Sequence, residues 1–221
     1  MRVGIIGAGR IGGMAARVLV QGGHEVKLSF TRDAAKLAQL AEEVATDASA
    51  GTPREAVEFG EVIVFAVPWD VIPEALEQAG SLQGKIVIDT ANQFGSGPMP
   101  TAGQTAAQFN AARMPGARYT KSFNTLTSGF QTAAAGRSGD MRVVQWICGD
   151  DEEAKQVVAR LIDDAGFEPV DLGGTADCAV MEAPRREGAV YGEEYHLGDA
   201  LAVADAVRNG RAIPPTPRYG D

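Results

Sequence analysis

Short apolar runs alternate with stretches in which apolar residues recur every three or four positions. Residues 3 to 6 (VGII) form the first run, and Ile11, Met14, Ala15, Val18 and Leu19 then fall on one helical face. Gly22 and Gly23 end that helix, and residues 24 to 28 (HEVKL) open a second strand. Residues 61 to 67 (EVIVFAV) and 85 to 89 (KIVID) read as strands apolar on both faces, as parallel strands covered by helices are. Between them Ile72, Ala75, Leu76 and Ala79 keep helical spacing. Gly95, Gly97, Pro98, Pro100 and Gly103 mark a loop over 92–104, followed by a helical run over 105–113 and strands over 118–123 and 142–148. Ala154, Val157, Val158, Leu161, Ile162 and Ala165 line one face of the clearest helix, with Asp150 and Glu153 at a capping-box-like start and Gly166 at its end. Residues 168 to 172 return as a strand.

This alternation predicts an α/β fold, a doubly wound, mostly parallel Rossmann-type sheet over residues 1–175. Residues 176–221 differ: 181–195 are polar and rich in turn formers, 197–207 form a short helical run, and 213–221 are proline-rich. Such a segment cannot build a core alone. It is expected to cover the substrate crevice, the sheet, or an interface in a homodimer.

The first turn carries candidate chemistry. Gly7-Ala8-Gly9-Arg10-Ile11-Gly12 is an unbroken G-x-G-x-x-G between a strand and a helix. In that context Gly7 makes the tight turn, Gly9 admits a pyrophosphate to the backbone, and Gly12 lets helix and strand pack closely. The pyrophosphate is expected at the helix N-terminus, where unpaired N–H groups and the positive dipole end converge.

An NAD-selective site would carry an acid about 20 residues further on to bind the ribose 2′-hydroxyl. Here the second strand ends in Ser29-Phe30-Thr31-Arg32-Asp33, with Lys36 one helical turn on. Two hydroxyls, a guanidinium and an ammonium suit a 2′-phosphate, so the pattern points to NADP(H). The opposing reading of Arg32 and Lys36 is solvated surface charge. Asp33, directly before a helical run, reads as a helix N-cap.

Composition narrows the setting. With 45% apolar residues the chain is globular, and its net charge of −9 argues against a nucleic-acid or anionic-membrane surface. No apolar stretch approaches the length of a membrane-spanning helix or leaves room for a signal peptide ahead of the first strand, so a cytoplasmic protein is expected. Cys148 and Cys178 lack any C-x-x-C spacing and read as reduced, structural thiols. No histidine, cysteine or carboxylate spacing suggests a metal.

Ligands of such sheets bind at the carboxyl ends of the strands. Trp69, Asn92, Asn124 and Thr125 lie at or just beyond three of those ends and are the candidate substrate residues for a small molecule. The asparagines suit an amide or carbonyl partner or ordinary turn formation, and Trp69 suits ring stacking or packing. His24 and His196 are weak candidates for acid–base work, Lys121 is given no catalytic role, and no catalytic side chain is assigned.

These residues resemble a family. The glycine loop, Ser29 to Arg32, Ala66-Val67-Pro68-Trp69, Lys121-Ser122-Phe123-Asn124-Thr125 and Cys148-Gly149-Asp150-Asp151 are similar to stretches of the NADPH-dependent reductases of the deazaflavin coenzyme F-420, and to the related domains of membrane ferric reductases. The resemblance spans roughly residues 1 to 175. It implies Gly9, Arg10 and Ile11 around the pyrophosphate, Ser29, Thr31, Arg32 and Lys36 around the 2′-phosphate, and Ala66, Val67 and Pro68 beside the nicotinamide. Ala8 stands where some members carry a hydroxyl, and the C-terminal region lacks the family's apolar helix.

The expected function is hydride transfer between NADP(H) and a deazaflavin or flavin-like acceptor. Proximity and orientation of two flat rings would carry that reaction. Two other readings stand beside it: an NADPH-dependent reductase of a small imine or carbonyl, and a non-catalytic NADPH sensor.

Overall fold

The computed structural model describes residues 1–31, 33–45 and 47–219. The chain opens with β1 (Arg2–Ile6), α1 (Arg10–Gln21), β2 (Glu25–Ser29), α2 (Ala34–Val44) and the short β3 (Ala48–Ala50). Next come α3 (Pro53–Phe59), β4 (Val62–Phe65), α4 (Ile72–Ala79), β5 (Ile86–Asp89), α5 (Ala106–Ala112) and β6 (Arg118–Lys121). The last elements are α6 (Ser128–Ala134), β7 (Val144–Gly149), α7 (Glu152–Asp164), β8 (Glu168–Gly173) and α8 (Leu197–Arg208).

All eight strands join one sheet in the order β3-β2-β1-β4-β5-β6-β7-β8. Every neighbouring pair is parallel except β6 and β7, which meet antiparallel through Thr120 with Gly149 and Lys121 with Cys148. The doubly wound sheet expected from the alternating pattern is therefore present.

Both faces of the central strands are buried, which explains their continuous apolar runs. Val3, Ile5, Val62, Val64, Ile86 and Ile88 point into one core layer with α1, α2, α6 and α7. Ile6, Ile63, Phe65 and Val87 point into the other, with α3, α4, α5 and α8. Each such side chain contributes about 1.5–3 kcal/mol relative to exposure.

Helix starts follow local chemistry. Asp33 accepts from Ala35 and Lys36 N–H groups at the start of α2, the N-cap role expected of it. Thr52 and Glu55 form a capping box ahead of α3, and Thr105 and Gln108 do so for α5. Asp150 corrects an expectation. The cap of α7 is Asp151, which accepts from Ala154 N–H, while Asp150 accepts from the N–H and hydroxyl of Thr175.

Residues beyond β8 are bound into the sheet. Tyr195 is buried edge-on against Trp146, with ring centroids 5.2 Å apart, and its carbonyl accepts from Val144 N–H. The Glu182 carboxylate accepts from Ala106 and Ala107 N–H groups at 2.9 and 2.7 Å, at the start of α5. That contact brings residues 181–183 beside the carboxyl ends of β5 and β6.

Candidate dinucleotide groove and substrate crevice

Chain direction across the sheet reverses between β1 and β4, and the loops after these two strands face each other there. Gly7 has φ +111°, and a Cβ on it would lie 2.3 Å from the carbonyl oxygen of Ala66. A Cβ on Gly12 would lie 1.8 Å from the carbonyl oxygen of Gly7. Both glycines are required by the fold itself. Gly9 is different, because a Cβ there would meet nothing within 4 Å. Its missing side chain leaves open space at the N-terminus of α1, whose first turn has no side-chain cap and no acid. Such a cradle fits an anionic group and leaves its backbone donors accessible. Arg10 is exposed and Ile11 half-buried beside it.

The groove has three arms that share residues. One of about 460 Å³ is lined by Gly7, Ala8, Gly9, Phe30, Thr31, Ala66, Val67, Pro68, Val71, Glu74 and Gln78. The next, about 310 Å³, shares Gly9 and Ala66 to Pro68 and adds Ile11, Thr90, Asn92 and Phe94. The third, about 530 Å³, shares Ile11, Thr90 and Asn92 and runs to Phe123, Asn124, Thr125, Phe130 and Tyr191. The glycine loop, residues 66–68, residues 90–92 and residues 123–125 thus line adjoining cavities that share residues.

At the end of β2 the structure divides the expected phosphate set. Thr31 is exposed on the groove wall. Lys36 is exposed on α2 with its Nζ 3.6 Å from Asp33. Ser29 needs correction: it is completely buried and its hydroxyl donates to the Ile5 carbonyl at 2.8 Å, so it secures β2 to β1 and presents no side chain to a ligand. Arg32 lies outside the described residues. Between Ser29 and Thr31, Phe30 has φ +58°, a left-handed backbone that costs a bulky residue about 1–3 kcal/mol.

Trp69 also needs correction. Its ring is buried, its Nε1 donates to the Pro98 carbonyl at 2.9 Å, and it stacks on Phe109 with centroids 5.8 Å apart. It anchors the 92–104 loop at the edge of the 310 Å³ arm, with its ring committed to packing rather than open for stacking. Asn92 donates through Nδ2 to the Asn124 carbonyl, and Asn124 donates to the Met181 carbonyl and to Asn92 Oδ1. These bonds tie three segments together at the crevice and fix the Asn124 amide with its nitrogen toward Met181. Asn124 Oδ1 and the buried Thr125 hydroxyl are left without a partner among the described residues, at the wall of the 530 Å³ arm. Buried polar atoms are paired as a rule, so these two are exceptions at the edge of that cavity.

Beneath the crevice lies a buried polar cluster that sequence reasoning did not assemble. Lys121 is fully buried, donating to the Ala91 carbonyl at 2.5 Å and standing 3.6 Å from Asp89. Asp89 also accepts from Tyr119, Asn110 and the Ala91 N–H. Burial, with the Asp89 charge beside it, pushes the Tyr119 phenol well above its ordinary range and keeps it a donor. The cluster holds residues 89–92, which form the floor between the second and third arms.

His24 is buried, set between the N-terminal amine and Asp164, and burial pushes its pKa down. His196 stacks on Tyr219 at 3.9 Å and bonds Glu194, itself held by Arg137. Cys148 and Cys178 are buried and free. Among the described residues no three His, Cys, Asp or Glu side chains cluster as a metal site would require, and no helix is long and apolar enough to cross a membrane. A further cavity of about 950 Å³ lies under residues 212–218, away from the glycine loop. Its Arg185, Arg186 and Arg211 are engaged by Glu193, main-chain carbonyls and Asp205.

Phe30, Val71, Glu74, Gln78, Phe130 and Tyr191 line the groove without having been singled out in the sequence. Phe30 sits inside a motif that was read for its polar members. Tyr191 and Phe130 come from segments with no periodic or motif signal.

Residues 2–93 match the sequence model of the family described as NADP oxidoreductase, coenzyme F420-dependent. The chain is 31% identical over 182 residues to metalloreductase STEAP3 of Rattus norvegicus, covering 82% of this chain and 36% of that protein. It therefore spans about a third of the length of that curated relative. A hypothetical protein from Sinorhizobium meliloti superimposes with a TM-score of 0.78 at 26% identity, over 89% of this chain and 95% of the other. A candidate F420-dependent NADP-reductase from Arthrobacter sp. FB24 superimposes over the whole of both chains with a TM-score of 0.69 at 22% identity. These solved structures share the Rossmann-type sheet with this chain.

Proposed function

We propose that the protein is an oxidoreductase that moves a hydride between NADP(H) and a deazaflavin or flavin-like acceptor. The observation that carries this reading is the continuity of the groove, from the glycine loop through Ala66–Pro68 to the pocket at Asn124 and Thr125. Gly9 and the uncapped first turn of α1 would hold the pyrophosphate, and Thr31 with Lys36 and Arg32 the 2′-phosphate. The nicotinamide, when bound, supplies the hydride.

The chain's own contribution is placement. Ile11, Thr90 and Asn92 belong to both inner arms, so a ring in one adjoins a ring in the other. Phe123, Leu126, Phe130 and Tyr191 give the acceptor arm apolar and aromatic walls that keep water out, while Asn124 Oδ1 and the Thr125 hydroxyl offer an acceptor and a hydroxyl to a ring edge. Reaction between two face-to-face rings needs proximity and no strong acid–base pair. The match to the F420-dependent NADP oxidoreductase family over residues 2–93 and the likeness to the Arthrobacter sp. structure support the choice of acceptor.

The test is an assay of purified protein with NADPH and oxidised deazaflavin coenzyme, following bleaching of the deazaflavin absorbance, with NADH and FMN in parallel. Rapid bleaching with NADPH and little with NADH is the expected result. Tight NADPH binding without turnover of any deazaflavin or flavin would overturn the acceptor assignment.

A further inference from the structure

We propose that Phe30 is the platform on which the adenine ring of the dinucleotide stacks, an inference that rests on the NADP(H) reading above. Phe30 follows β2 directly and holds φ +58°, a conformation that suits glycine and penalises an aromatic residue. A backbone in that state persists only where its surroundings over-determine it. Two contacts do so here: the Phe30 carbonyl accepts from the Ala8 N–H in the glycine loop, and the ring packs against the core layer that contains Ile6 and Phe65. The ring is only half-buried, and it lines the 460 Å³ arm of the groove.

The position of the adenine follows from the phosphates. With the pyrophosphate at Gly9 and the 2′-phosphate at Thr31, the base on that same ribose must lie within a few bonds of Thr31. Phe30 is the one aromatic ring among the described residues of that arm, whose other apolar groups are Val71 and Ala66 to Pro68. Glu74 and Gln78 line the same arm, one turn apart on α4, with Gln78 Nε2 donating to Glu74 Oε1 at 3.1 Å. They supply an acceptor and a donor amide for the edge of a base already stacked on Phe30. The unusual backbone at Phe30 thus has a use, since it sets an aromatic ring beside the phosphate sites without lengthening the loop.

The experiment is calorimetric titration of wild-type protein and of Phe30→Gly, Phe30→Leu and Phe30→Tyr with adenosine 2′,5′-bisphosphate and with NADPH, alongside thermal unfolding without ligand. Glycine accepts the positive φ, so Phe30→Gly removes the ring while relieving the backbone; Phe30→Leu keeps the packing but not the aromatic face, in case the glycine variant folds poorly. Loss of base stacking is expected to weaken both ligands about tenfold in Phe30→Gly and about fivefold in Phe30→Leu, with Phe30→Tyr within about twofold of wild type. Unchanged affinity in the glycine and leucine variants would overturn the stacking role and leave the NADP(H) reading standing. Equal losses in the tyrosine variant would overturn it as well, because the aromatic face would not be the determinant. A wild-type protein that binds neither ligand would overturn both readings.

Discussion

Lys121 and Asp89, on neighbouring parallel strands, are both completely buried, with Nζ 3.6 Å from Oδ2. The ammonium also donates to the Ala91 carbonyl, two residues beyond that same aspartate. A charged pair within the sheet therefore fixes the turn that separates the two inner arms of the groove.

Removing one member of a buried pair leaves the other uncompensated, at a cost of about 3–5 kcal/mol. Asp89 retains Tyr119, Asn110 and the Ala91 N–H as donors, which puts Lys121→Met toward the lower end of that range. Urea unfolding of the variant should show a loss of about 3 kcal/mol. A change below about 1 kcal/mol would mean that the Lys121 ammonium is held by Ala91 alone and not by the pair.

The glycine loop separates fold from binding. Gly12→Ala drives a Cβ to 1.8 Å from the Gly7 carbonyl oxygen, so overpacking of about 1–3 kcal/mol or more should lower Tm by several degrees. Gly9→Ala meets only open space, and its Tm should match wild type while NADPH binding weakens about tenfold. Thermal unfolding and a binding titration on the two variants check both halves. A Gly9→Ala protein that binds NADPH normally would remove the pyrophosphate from this site.

Much of this fold was legible because buried parallel strands and amphipathic helices write their periods directly into the chain. The glycine loop was legible because Gly7 and Gly12 answer local steric demands. The short β3 and α3 had no comparable signal: three residues cannot show a period, and α3 is marked mainly by its Thr52–Glu55 box. Direction was not legible either. Nothing in residues 144–149 announces that β7 runs against β6. Asp150 was read as the cap of α7, and only the fold shows that Thr175 claims it and that Asp151 caps the helix instead. Ser29 and Trp69 were misread for different reasons. A hydroxyl at a strand end serves a ligand or the interior depending on which way the strand faces, whereas Trp69 opens a helical turn beyond β4 whose packing on Phe109 and Pro98 comes from segments distant in sequence.

Acid stability should report on Asp151. Hydrogen bonds from Arg118 at 2.6 and 2.8 Å, then from the Ala154 N–H, hold its carboxyl well below the usual carboxylate range. A depressed folded-state value means that the unfolded chain takes up the proton first. The contribution is therefore complete above the ordinary carboxylate range and is lost as pH falls toward the folded value. Asp151→Asn keeps a capping oxygen and loses the ion pair. Its Tm should lie below wild type at neutral pH, with the gap narrowing steadily as pH falls below the ordinary carboxylate range. A gap that stays constant over that span would show that the ion pair contributes nothing.

Cofactor choice should depend on the segment after β2. Thr31 and Lys36 are exposed there, and no acid stands between β2 and the cap Asp33. Arg32→Ala should weaken NADPH binding about tenfold or more and leave NADH nearly unchanged, because only NADPH presents a 2′-phosphate to a guanidinium. Equal losses for the two would remove Arg32 from phosphate recognition.

Thr125 offers the cleanest separation of substrate binding from stability. Its hydroxyl is buried at the wall of the 530 Å³ arm without a hydrogen-bond partner among the described residues. Thr125→Val preserves the shape and removes a polar group that the protein itself leaves unsatisfied, so folding should be unaffected or slightly favoured. A bound acceptor edge would supply the missing partner, and a hydrogen bond of about 1 kcal/mol net corresponds to roughly a fivefold change in affinity. The variant should therefore show a KM for the acceptor raised about fivefold, with NADPH affinity and Tm matching wild type. A lowered Tm with unchanged KM would instead make the hydroxyl part of the protein's own hydrogen bonding, and the acceptor would have to be sought elsewhere along the groove.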